Sequence, residues 1–205
     1  MRYFPRGLLP LKFFPKQRGL LSDREIFQAA PLVNMLDSQM KLRNPGLQQL
    51  PSCGLDSFGY DLRLSSLYRR PKGPIMRTTN ECMGDLIDSK GAAILIEPNS
   101  FILGMTEESF DMPDDLYAIV EGKSSWARIG IAVHGCPVDP GYQGSYSLHI
   151  ANLTPYPAQL DPGSGIARAI FFRGRKPRKG YSGIYKHAKD IPVTAHDVRL
   201  RGGQS

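Results

Sequence analysis

From residue 58 onward a turn bearing proline or glycine interrupts the chain about every ten residues, and no other feature restricts the fold as tightly. Between the turns lie short apolar runs at 60–64, 92–96, 101–105, 116–120, 129–133, 146–150, 158–160 and 165–172. The first and the sixth alternate apolar with polar residues, the period of a half-buried strand. Pro98-Asn99, Pro113-Asp114, Asp139-Pro140-Gly141 and Asp161-Pro162-Gly163 supply turn chemistry. Many short strands at this spacing predict an all-β barrel or sandwich. Ahead of them, Ser22 with Glu25 three residues later forms a capping box, predicting a short helix that runs through Ala30 and stops at Pro31. Asn44-Pro45-Gly46 reads as a turn and 69–79 as a loop.

At 205 residues the chain has the length of one domain with arms. The expected division is a basic N-terminal arm (1–20), a core domain (21–173) and a basic, mobile tail (174–205). The formal net charge is +7, but much of it sits in Arg2, Arg6, Lys12, Lys16 and Arg18 and in Arg173, Arg175, Lys176, Arg178 and Lys179. Basic ends of this kind are solvated arms, so nucleic-acid binding is disfavoured as the main role. Cys53, Cys82 and Cys136 are odd in number and lack C-x-x-C spacing, which fits a reducing cytoplasm. No apolar run approaches the ~20 residues of a membrane span. Pro5, Pro10 and Pro15 break any amphipathic targeting helix at the front.

Two polar knots carry the chemistry. Gly122-Lys123-Ser124-Ser125-Trp126-Ala127-Arg128 offers two hydroxyls, successive backbone N–H groups and two cations, which suit a polyphosphate. Val138-Asp139-Pro140-Gly141-Tyr142-Gln143-Gly144 offers one carboxylate in a bend, with a tyrosine three residues on. A carboxylate near bound phosphate is normally repelled, so metal binding or water activation is the chemistry expected of it. The four histidines have no zinc-ligand spacing, and neither a Walker loop, a G-x-S-x-G elbow, a dinucleotide fingerprint nor a zinc-deaminase signature is present.

With Gly59-Tyr60-Asp61-Leu62 before them and Gly163-Ser164-Gly165-Ile166-Ala167 after, these knots resemble, in order, the motifs of trimeric dUTPases. Leu21-Ser22-Asp23-Arg24-Glu25-Ile26, the Tyr60–Leu64 run and Ser124–Arg128 are similar instead to the dCTP deaminase branch of the same superfamily. The resemblance covers roughly residues 20–187 and implies a distorted jelly-roll or β-barrel with a short N-terminal helix. It also implies a homotrimer with active sites between subunits.

The resemblance further implies that deaminases keep a glutamate as proton shuttle on the strand after the Asp139 bend, where this chain has His149. The connection from Gly130 to Asp139 is shorter than in deaminases, and Ile184 replaces a phosphate-binding lysine of the tail. These departures resemble the archaeal-type dUTPases. The expected reaction is therefore hydrolysis of dUTP to dUMP and pyrophosphate, with Mg²⁺ carried by the phosphates rather than held by side chains. By resemblance, Asp139 activates water at the α-phosphorus. Ser124, Ser125, Arg128 and Lys123 hold phosphates, and Tyr142 packs on the deoxyribose. Backbone groups from Gly135 to Val138 face the base, although Pro137 lacks an N–H, and Asp61, His149 and Tyr185 support the site. Two alternatives stay open: a dCTP deaminase with an atypical site that uses His149, and a catalytically silent nucleotide-binding regulator.

Overall fold

The computed structural model describes residues 18–35, 51–72, 84–183 and 185–188. The arm before residue 18, the turn at 44–46, residues 73–79 of the expected loop, Cys82, Ile184 and the tail beyond 188 lie outside the described residues. Strand β1 (Gly19–Leu20) and helix α1 (Asp23–Ala29) lead into β2 (Leu32–Val33), β3 (Gly54–Asp56), the long β4 (Gly59–Arg69) and β5 (Ile87–Asp88). Then come β6 (Ile94–Ile96), β7 (Phe101–Asp111), β8 (Leu116–Gly122), the helical turn α2 (Ser124–Ala127) and β9 (Ile131–His134). Strands β10 (Gln143–Asn152), β11 (Ala158–Leu160) and β12 (Gly165–Arg173) complete the order.

All pairings are antiparallel, and the main sheet runs β12, β8, β9, β10, β7, β4 before β4 returns to β12. The ring is closed, as the all-β barrel expectation required. Strands β6 and β11 form a separate two-stranded ribbon. Closure follows from length: β4 and β7 are the longest strands, and β4 is long enough to pair with β12 near its start and with β7 farther along.

Alternation along each strand fills the barrel. Tyr60, Leu62 and Leu64 of β4 point inward with Leu148 and Ile150 of β10, Ala169 and Phe171 of β12, and Phe110 of β7. Phe110 meets Tyr146 edge-on at 5.0 Å between ring centroids and Phe171 at 6.4 Å. One carboxylate is buried with them: Glu108 accepts from the Tyr60 hydroxyl at 3.1 Å and from Arg63 Nε at 2.7 Å. A carboxylate there without those partners would be strongly destabilising.

Helix α1 starts where the capping box predicts. The Ser22 backbone N–H and hydroxyl both donate to the Glu25 carboxylate at 3.0 Å. Ala30 ends the helix in the left-handed region (φ 44°), and Ile26 is its fully buried contact with the barrel. Among the described residues no helix is long and apolar enough to cross a membrane.

Candidate active site

The serine pair sits on α2, and the sequence around it explains why the turn is rigid. Trp126 is buried and donates its indole N–H to the Gly165 carbonyl at 2.9 Å. The Lys123 N–H donates to Ile166 O at 3.2 Å, and the Arg128 N–H to Ser124 O at 3.0 Å. The turn is thereby held to β12 from beneath, leaving Ser124, Ser125 and Arg128 exposed. These three stand where a polyphosphate ligand can reach them.

Lys123 is a correction to the phosphate-binding set. Its ammonium is turned inward, donating to the Asp61 carboxylate and to the Ser52 carbonyl at 2.7 Å. Asp61, fully buried, also accepts from Arg168 Nε at 2.7 Å, and Arg168 reaches Asp56 as well. Burial alone would push the Asp61 carboxyl up, but Arg168 and Lys123 together hold it below the ordinary aspartate value. The support expected of Asp61 thus takes the form of an ion network tying β4, β12 and the start of α2 together.

The second knot is a bend closed by the Tyr142 N–H donating to Asp139 O at 3.1 Å, with Gly141 at φ 76°. Asp139 is exposed. Val138 is not available to a base: its side chain is buried, and its N–H donates to Ala118 O at 2.8 Å while its carbonyl accepts from the Ala118 N–H at 3.0 Å. Gly135 has room for no side chain, because a Cβ there would lie 2.5 Å from the Tyr146 hydroxyl and 2.7 Å from Val120 Cβ. That hydroxyl donates to the Cys136 carbonyl, so the loop from Gly135 to Pro137 is shaped from below by Tyr146.

Tyr142 is half-buried. Its hydroxyl donates to Ser145 O at 2.8 Å, its ring meets Tyr181 edge-on at 5.2 Å, and burial pushes its phenol up to about 12. Tyr181 belongs to a segment laid over the bend: its N–H donates to Pro140 O at 2.8 Å, and the Ser145 N–H donates to Ala188 O at 2.9 Å. The carbonyl of Tyr185 accepts from the Ala188 N–H within that segment. A cavity of about 450 Å³ opens beside Asp139, lined by Tyr117, Tyr181, Arg175 and Lys179 among others.

His149 lies on the outer face of β10, directly opposite His134 of β9, and His134 is in turn opposite Glu121 of β8. His149 is exposed, yet shielding by its neighbours and the nearby His134 hold its pKa below the ordinary histidine value. Sequence reasoning missed Glu121 and His134, because only the register between three strands puts them in one row.

The fold separates the two knots. Val138 bridges Ala118 near the start of β8, whereas Ser124 follows its far end at Gly122. The four steps of strand from Ala118 to Gly122 put about 13 Å between the bend and the start of the serine turn in one chain. Among the described residues no three or more His, Cys, Asp or Glu side chains converge to hold a metal ion.

The family profile described as dCTP deaminase-like matches residues 33–174. A protein named dCTP deaminase from Orientia tsutsugamushi (strain Boryong) is 37% identical over 189 residues, covering 88% of this chain and 100% of the relative. Another of that name, from Campylobacter hominis, is 39% identical over 159 residues, 76% of this chain and 83% of the relative. The crystal structure of 2'-deoxycytidine 5'-triphosphate deaminase from Agrobacterium tumefaciens superposes with a TM-score of 0.57 at 22% identity. It covers 77% of this chain, which spans about half (49%) of that longer one, and at this identity it speaks for the fold alone. These relatives correct the expectation of a dUTP-hydrolysing enzyme. His149 and the short 130–139 connection are local departures, set against a likeness to a protein named dCTP deaminase that covers 88% of the chain. With that expectation goes the role of Asp139 in activating water at the α-phosphorus.

Proposed function

This chain belongs to the dCTP deaminase-like family, and from that membership we propose that it deaminates dCTP, with water, to dUTP and ammonia. The observation that carries the proposal is the 37% identity to a protein named dCTP deaminase over that protein's entire length.

The site needs a second copy of the chain. Ser124, Ser125 and Arg128 of one subunit grip the triphosphate, and the Asp139 bend of a neighbour receives the nucleoside, because about 13 Å of β8 separates the two knots within one chain. A homotrimer closes such head-to-tail contacts into a ring. Tyr142 offers its ring to the deoxyribose, and Asp139 accepts a hydrogen bond from a sugar hydroxyl. The loop from Gly135 to Pro137 meets the base. Mg²⁺ would enter with the triphosphate, held by no side-chain cluster among the described residues, and would supply charge neutralisation alongside Arg128.

Deamination needs a base at C4 of the ring that is unprotonated near neutral pH. His149 suits that task, since its proton affinity is lowered by shielding and by His134. It takes a proton from water as the oxygen bonds to C4 and delivers it to N3. It then takes the hydroxyl proton and delivers it to the exocyclic amine, which leaves as ammonia while the C4 carbonyl forms. The test is incubation of the full-length protein with dCTP, reading ammonia and dUTP together. Equal release of both is expected, and release of neither overturns the proposal.

A further inference from the structure

The chain leaving β12 arches over the start of β8. The Gly174 N–H donates to Asp115 O at 2.9 Å and the Tyr181 N–H to Pro140 O at 2.8 Å, so both feet of the arch are tied down. Between the arch and β8 lies the cavity of about 450 Å³, with Tyr117, Tyr181, Arg175, Lys179 and Asp139 in its lining. Small-molecule sites occupy about 300–1,000 Å³. The reaction proposed above leaves this space unused. Tyr117 stands at the beginning of β8, and Glu121, level with His134 and His149, near its end. The four steps between them amount to about 13 Å, so a base whose C4 meets His149 points away from the cavity. The cations around the arch are of two kinds. Arg173 pairs with Asp115 at 3.3 Å, and Lys176 with Asp114. Arg175 and Lys179 are exposed, and among the described residues no carboxylate lies within ion-pair distance of either.

We propose that this cavity is a second nucleotide site, for a nucleoside monophosphate, and that its occupant weakens binding of the substrate. Two unpaired cations match one phosphate monoester, which carries nearly two negative charges near pH 7. The tyrosine rings offer apolar faces to a base. An ionised Asp139 only accepts hydrogen bonds, which suits a sugar hydroxyl. Its charge also repels any phosphate beyond the one that the cations hold, so a longer phosphate chain fits less well. The link to the reaction runs through shared residues. Asp139 cannot serve the sugar of the occupant and that of the substrate at once. Tyr181, in the cavity wall, meets the Tyr142 ring edge-on at 5.2 Å, and Tyr142 is the ring offered to the substrate's deoxyribose. This regulatory half rests on the deaminase reading, and the binding half does not.

Calorimetric titration of the full-length protein with dUMP tests the site. Arg175→Gln together with Lys179→Gln is expected to weaken binding at least about 10-fold, through the loss of charge-assisted hydrogen bonds to the phosphate. Ser124→Ala together with Ser125→Ala should change it less than about threefold, because the serine turn serves the substrate's phosphates. Deoxyuridine, which lacks the phosphate, should bind at least about 10-fold more weakly than dUMP. No binding of dUMP, binding lost with the serines but kept without the cations, or equal affinity for deoxyuridine overturns the inference. These titrations need no turnover, so they decide the site even if the wild-type protein releases no ammonia and the deaminase reading fails. In the active enzyme dUMP should raise KM for dCTP with kcat unchanged, and the Arg175→Gln, Lys179→Gln variant should lose that effect. Inhibition that persists in this variant assigns dUMP to the catalytic site and overturns the regulatory link.

Discussion

The Lys123 ammonium is bonded to the carboxylate of Asp61 beneath the serine turn and does not face outward with the hydroxyls it precedes. The pair joins residues 62 apart in sequence, and Asp61 is wholly buried. It fixes the first residue of the turn to the barrel wall.

Removing the carboxylate while leaving its two cations in place exposes their desolvation cost. Asp61→Asn is expected to lower the unfolding free energy by about 3–5 kcal/mol, toward the lower figure because Arg168 keeps some solvent contact. Urea titration measures it. A loss below about 1 kcal/mol would show that the network contributes little.

The same pair has an acid signature. The folded-state pKa of Asp61 lies below its unfolded value of 3.8, so its contribution is fully present above that value. It is lost as pH falls through the lower, folded pKa. The stability difference between wild type and Asp61→Asn should stay constant from neutral pH down to about 4 and shrink only below it. A difference that already shrinks between pH 7 and 5 would assign it to another group.

Trp126→Phe keeps most of the buried ring and deletes the indole N–H that satisfies the Gly165 carbonyl. The expected cost is about 1–3 kcal/mol. Because the serine pair rides on this turn, KM for the triphosphate should rise more than kcat falls. An unchanged KM in a folded variant would separate the turn from phosphate binding.

Gly135→Ala forces a Cβ against the Tyr146 hydroxyl and Val120. Overpacking at a site walled by a strand and a bonded phenol is expected to cost about 1–3 kcal/mol. It should also disturb binding of the base. Thermal unfolding and nucleotide titration measure the two effects, and wild-type values in both would mean that the loop yields freely.

Two inactive variants, Ser124→Ala with Ser125→Ala in one chain and Asp139→Ala in another, should restore activity when unfolded and refolded together. Random mixing pairs an intact serine turn with an intact bend in about one quarter of inter-subunit sites. Mixtures as inactive as either parent would place both knots of a site in one chain.

The turn chemistry made the barrel legible, since Asp-Pro-Gly and Pro-Asn signals bracket strands that the structure also contains. The capping box located α1 for the same local reason. Long-range register was not legible. Lys123 beside two serines reads as a phosphate ligand until Asp61 is folded against it. Val138 reads as a free backbone donor until Ala118 takes its N–H. The reaction was misjudged because His149 and the short 130–139 connection were weighed above a likeness to deaminases that covers 88% of the chain.

Closure of the barrel has a consequence for how new activities arise on it. Its interior is packed with Tyr60, Phe110 and Phe171, so no substrate enters there, and chemistry is confined to side chains on the outside wall. Substitutions at exposed positions of that wall, away from the Asp61 network, leave the packed centre intact and cost the scaffold little. The packed interior can therefore persist while exposed positions of the wall, such as 149, change.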